Sequence, residues 1–235
     1  MNPSARKAAP GRAPSAKESK KAKSIDVSKE WTIMVYMSGD NNLGQDMIYA
    51  IRSLQDALAA KAPDANIMLF FDGNARDTPT VYYDLSDPQN PYNVFAKQIT
   101  KRQKTGRERS MAKFNENAAT MYSIYDFVGW CISKDQDKRG RIARNYALVV
   151  SGHGSGFQNL SFLHDERSDY YMTIPKFRET LAWISEDFLG RQKLNLVGFD
   201  NCVMGMLEVA HELAPYADYM IASEGNIPLC KRNAS

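Results

Sequence analysis

Cysteine and histidine are scarce in this chain of 235 residues, with three of each. Cys131, Cys202 and Cys230 form an odd, sparse set that does not read as a disulfide framework, and no CxxC pair suggests zinc. No apolar run reaches the length of a membrane-spanning helix. No apolar stretch follows the basic N-terminal residues, as a secretory signal would require. Neither a GxGxxG nor a Walker pattern occurs, which removes the familiar phosphate-binding loops. His164 next to Asp165 lacks metal-ligand spacing, and the expectation is of no metal and no other cofactor. These absences leave the cytoplasm as the default location.

What is present fits a globular enzyme-sized domain. Hydrophobic residues make up 43% and charged residues 24%, both ordinary values. Residues 1–30 hold eight basic side chains against Glu18, Asp26 and Glu30, a surplus of five. The net charge of the whole chain is +3, so residues 31–235 stand at −2. A slightly acidic body loses the simplest support for a nucleic-acid role, and no membrane role is expected. Residues 1–30, rich in Ala, Lys, Ser and Pro, cannot bury enough apolar surface to offset their ordering entropy and read as a disordered tail. The domain is expected over residues 31–224, with 225–235 as an irregular tail.

Apolar β-rich runs fall at residues 31–37, 66–71, 146–150 and 194–199, and a further strand begins at 219. Weaker strands at 80–85 and 93–99 suggest an edge hairpin. Helical spacing appears in Met47, Ile51, Leu54 and Leu58, then over residues 117–132. It returns in Phe177, Leu181, Ile184 and Phe188, and again in Val203, Met206, Leu207 and Ala210. Alternation of this kind predicts an α/β three-layer sandwich, a mostly parallel sheet with helices on both faces. Ligands then bind at the carboxyl ends of the strands.

Two residues stand at such ends. His153 lies just past the strand at 146–150 among Gly152, Gly154 and Gly156, and Cys202 lies just past the strand at 194–199. If those strands are neighbours, an accessible thiol and a base share one edge, as nucleophilic cysteine chemistry requires. The spacing also predicts a helix opening at Cys202, whose dipole would favour the thiolate. Backbone N–H groups of Gly154 and Cys202 could serve a developing oxyanion. A histidine among glycines is equally a turn residue, and a cysteine at a helix start is equally a small buried hydrophobe.

The stretches WTIMVYMSGDNNL, ALVVSGHGSGF and LVGFDNCVMGMLEVAHEL resemble the clostripain family of cysteine peptidases, which share a caspase-like fold. The resemblance implies that His153 and Cys202 are catalytic, and that Asp200 selects peptide or protein substrates with a basic P1 side chain. A carboxylate there could pair bidentately with arginine, although an aspartate before a helix also serves as an N-cap. Self-cleavage after a basic residue between the His and the Cys is implied too, and Arg167 lies in that interval in a polar loop. Residues 101–109 and 138–141 offer competing basic sites. Calcium stimulation is known for some relatives, but no EF-hand-like loop occurs here. Relatives are often secreted. Asp40, Asn41 and Asn42 follow the first strand at the same sheet edge and either shape the site or form an Asx-type turn, the turn being the expectation, and His211 reads as a surface or interface residue. After Glu224 the resemblance weakens, which implies a C-terminally truncated sheet. The expectation is an endopeptidase cutting after Arg or Lys through a thioester; the alternative is an inactive member that keeps the fold.

Overall fold

A computed structural model describes residues 29–61, 64–74, 79–86, 115–132, 142–156 and 161–228. Residues 1–28 of the tail expected over 1–30, the weak strand at 93–99 and the basic clusters at 101–109 and 138–141 lie outside the described residues, while residues 29 and 30 already belong to the first strand.

The sheet is built from near-continuous apolar runs. Strand β1 (Lys29–Gly39) leads to helix α1 (Gly44–Ala60), then to β2 (Ala65–Gly73) and β3 (Val81–Asp84). Helix α2 (Met121–Ile132) precedes β4 (Ala143–Ser151). A short pair, β5 (Ser161–Asp165) and β6 (Tyr170–Thr173), is followed by α3 (Ile174–Asp187). The chain then forms β7 (Leu194–Asp200), α4 (Leu207–Leu213) and β8 (Ala217–Ile221). Six strands make the main sheet in the order β3-β2-β1-β4-β7-β8, and β5-β6 form a separate ribbon. Every pairing in the main sheet is parallel except β2 with β3.

Because side chains alternate across a strand, the sheet buries both faces. Met37, Ile67, Leu69 and Phe71 pack with Met47, Ile51 and Leu58 of α1. On the other face Tyr36, Phe70, Leu148, Val150, Val197 and Phe199 meet Ile124 and Phe127 of α2 and Phe177 and Leu181 of α3. Tyr36 stacks on Phe70 with centroids 4.2 Å apart, and its hydroxyl donates to the Ala118 carbonyl at 2.7 Å. That bond satisfies the one polar atom of a buried ring, so its burial costs little. Each such buried aromatic contributes on the order of 1.5–3 kcal/mol. The expected three-layer α/β sandwich is the observed one. Among the described residues no helix is long and apolar enough to cross a membrane.

β3 sits at the sheet edge and pairs with β2, while its expected hairpin partner at 93–99 lies outside the described residues. The polar stretch around Arg167 is the exposed turn of the β5–β6 ribbon. One local reading is corrected: no helix opens at Cys202, where the chain turns, and α4 begins only at Leu207. The cause is tertiary. Val203 and Gly205 donate their N–H groups to the carbonyls of Gly225 (3.0 Å) and Ser223 (2.8 Å), pairing this segment with the chain after β8.

Candidate active site

β4 and β7 are adjacent and parallel, with Ser151 opposite Asp200 at their carboxyl ends. The two loops that follow therefore leave one sheet edge side by side. Gly152 N–H donates to the Asp200 carbonyl at 3.3 Å, and Asn201 Nδ2 donates to the His153 carbonyl at 2.9 Å. Gly154 lies so close that an added Cβ would run into the main chain of Cys202 and the Cβ of Asn201. Only glycine admits that approach. Gly156 takes φ +60°, a left-handed conformation that glycine adopts without strain.

His153 is half-buried, and its Nε2 lies 2.6 Å from Oδ1 of Asn42. A neutral ring bonded this way carries its proton on Nε2 and keeps the Nδ1 lone pair. Burial, then the charge of His164, holds the His153 pKa below the usual histidine value, with Glu166 opposing. Cys202 is also partly buried, and its Sγ accepts the N–H of Ile227 at 3.3 Å. The segment after β8 thus covers the turn that carries the thiol. Val203, next in that turn, has φ +58°, an unusual conformation for a β-branched residue that the bonds to residues 223–225 hold in place.

Asp200 is exposed, and its Oδ2 accepts the Ser151 hydroxyl at 2.8 Å. It caps no helix, since none starts within five residues, and the dipole expected at Cys202 is absent for the same reason. Arg167 occupies the ribbon turn with Nε 3.2 Å from Oδ2 of Asp40. The turn is closed by Ser168 N–H on Asp165 Oδ1 at 2.8 Å. His164 stacks on Tyr171 with centroids 4.1 Å apart, and His211 is exposed on α4.

The turn after β1 divides its work. Asn41 Oδ1 accepts Leu43 N–H at 2.9 Å, the expected Asx turn. Asn42 reaches His153 instead, and Asp40 joins Asp72 and Asp165 in a buried group of carboxylates. Burial pushes the Asp72 carboxyl up to about 8, against a hydrogen bond from Thr80. The sequence offered Asn42 only as one of three residues that either shape the site or form a turn, and gave no sign of the group with Asp72 and Asp165. The available signal was a polar residue directly after each apolar strand.

The match to the family model of the clostripain family spans residues 35–229. The chain belongs to the clostripain family. Clostripain of Hathewaya histolytica is 24% identical over 209 residues, covering 82% of this chain and 38% of that relative. The structure resembles a secreted C11 cysteine protease from Bacteroides thetaiotaomicron solved with an irreversible peptide inhibitor (TM-score 0.60, 19% identity). That match covers 85% of this chain and 50% of that one. An inactive zymogen C11 protease from Parabacteroides distasonis matches with TM-score 0.57 and 20% identity, over 87% of this chain and 51% of that one. The chain thus has the caspase-like fold of clostripain-family cysteine proteases and spans between 38% and 51% of the length of these relatives.

Proposed function

We propose that the chain is a cysteine endopeptidase cutting after Arg or Lys. The observation that supports this most is the nesting of the two loops after β4 and β7, which brings His153 and Cys202 to one edge. In this reading His153 Nδ1 takes the thiol proton as Cys202 Sγ attacks the scissile carbonyl carbon. The tetrahedral oxyanion is met by the N–H groups of Gly154 and Cys202. The C–N bond then breaks, the amine leaves with the proton from His153, and water hydrolyses the thioester by the same relay.

Asp200 supplies the basic preference. Its exposed carboxylate, oriented by Ser151, is suited to a guanidinium or ammonium group. Self-processing after Arg167 belongs to the same proposal. It requires the ribbon turn to open and the contact with Asp40 to break, because peptidases bind substrates extended.

Assays with an arginyl fluorogenic peptide test the proposal on wild type and Cys202→Ala. Wild type should turn over substrate and the variant should lose at least about 1000-fold. A basal rate that survives Cys202→Ala would remove Cys202 as the nucleophile. On a denaturing gel, wild type should yield a fragment ending at Arg167, and the variant should stay whole. Wild type that is inactive and whole would favour the second reading, a member that keeps the fold without the activity.

A further inference from the structure

Asparagine is costly to enclose, because its amide carries both donors and an acceptor that need partners once water is gone. Asn201 stands between Asp200 and Cys202 just past β7 and is 1% exposed. Its Nδ2 donates to the His153 carbonyl at 2.9 Å. A carbonyl only accepts, so the amide faces it with an N–H and turns Oδ1 elsewhere. That oxygen is buried and finds no hydrogen-bond partner among the described residues.

Stability alone does not account for this choice of residue. The His153 carbonyl already accepts the N–H of Leu163 at 3.0 Å. It stays paired without Asn201, so the second bond relieves no orphaned group. The unpartnered Oδ1, in contrast, is a cost that an apolar side chain would not carry. Buried groups left unsatisfied in a native chain call for another reason, and reactive sites are where such costs gather.

The bond supplies a geometric reason. The ladder between β4 and β7 ends at Ser151 and Asp200, so His153 and Cys202 both lie on loops beyond it. The Asn42 bond holds the ring of His153 from the turn after β1, and the Leu163 bond holds its main chain from β5. Asn201 adds a tie to the loop that carries the thiol, one residue before Cys202. The glycines opposite make room for it. A Cβ at Gly154 would come within 2.9 Å of Asn201 Cβ, and one at Gly152 would lie 3.6 Å from Nδ2.

We infer that Asn201 is a positioning residue whose amide sets the separation of His153 and Cys202. The inference rests on the peptidase reading above. A proton passes between thiol and imidazole only within hydrogen-bond reach, and a displacement of about 1 Å costs on the order of 100-fold in rate. The amide is enclosed and out of a substrate's reach, so its loss falls on kcat rather than on KM.

The test compares Asn201→Ala and Asn201→Asp with wild type and His153→Ala in the full chain. On the arginyl peptide, Asn201→Ala should lower kcat roughly 10- to 100-fold and leave KM within about 2-fold. Its Tm should stay within about 5 °C of wild type. Asn201→Asp keeps the shape but loses the donor at neutral pH, and it should be as slow. A second readout needs no turnover: the rate of Cys202 alkylation by iodoacetamide against pH, followed by mass spectrometry of its peptide. The Asn201→Ala profile should move from that of wild type toward that of His153→Ala.

Wild-type kcat and a wild-type alkylation profile in Asn201→Ala would overturn the inference. So would a Tm lowered by more than about 5 °C, or failure to fold, since the residue would then be structural. If wild type is inert toward the peptide, the alkylation profiles still decide the positioning role. A wild type that is inert and also alkylates like His153→Ala has no working pair, and the peptidase reading falls together with this one. An active wild type beside an unaffected Asn201→Ala removes the positioning role alone.

Discussion

A histidine that takes a proton from a thiol must have its second ring nitrogen held, or the ring rotates away from the reacting atoms. Asn42 Oδ1, 2.6 Å from Nε2, provides that hold. Asn42→Ala should lower kcat roughly 10- to 100-fold with little change in KM, and Asn42→Asp, which keeps the acceptor, should recover much of the loss. Steady-state kinetics would check it, and an unchanged kcat in Asn42→Ala would discard the positioning role. The triplet Asp40-Asn41-Asn42 shows what a sequence hides at this scale. All three residue types favour turns, yet only Asn41 spends its side-chain oxygen on the turn. The partners of the other two come from β2, the loop after β4, and β5, more than thirty residues away along the chain.

Between elements, the decisive contact is the one between the loops after β4 and β7. Gly154→Ala puts a methyl group into the main chain of Cys202, where no flexible side chain can yield. It should cost about 1–3 kcal/mol in stability and lower kcat more than Cys202 labelling by a small alkylator. Denaturant unfolding with parallel kinetics would measure both, and a variant as stable and active as wild type would refute the nesting. The strands themselves were legible because their apolar runs are long. The β5–β6 ribbon was not: Leu163 sits at φ +54° and the pairing slips between Phe162 and His164, so the two-residue alternation is broken. The stripe Val203, Met206, Leu207 and Ala210 misled in the opposite direction. Its spacing is helical, but Val203 and the neighbouring Gly205 obey the backbone pairing with Gly225 and Ser223, so the helix starts only after Met206, and local propensity yields to such contacts.

Across the whole molecule, packing sets the pH at which the site is ready. Folding half-buries His153 and places it near His164, both of which lower its pKa. The folded state therefore favours the neutral ring. That contribution is present above the ordinary histidine value of about 6.5 and is lost as pH falls through the lower folded value. The acid limb of kcat/KM should accordingly lie below pH 6.5, because the proposed base must be neutral. A limb at or above 6.5 would contradict this. The sequence by itself determined the layered α/β architecture, since long apolar strands separated by helical stripes have one economical way to bury their surfaces. It also determined that His153 and Cys202 follow strands, because both are read from local order. The adjacency of β4 and β7, the bond from Asn42 and the gathering of Asp40, Asp72 and Asp165 were decided only by the tertiary structure. Each joins residues far apart along the chain, and no local pattern encodes which strand ends become neighbours.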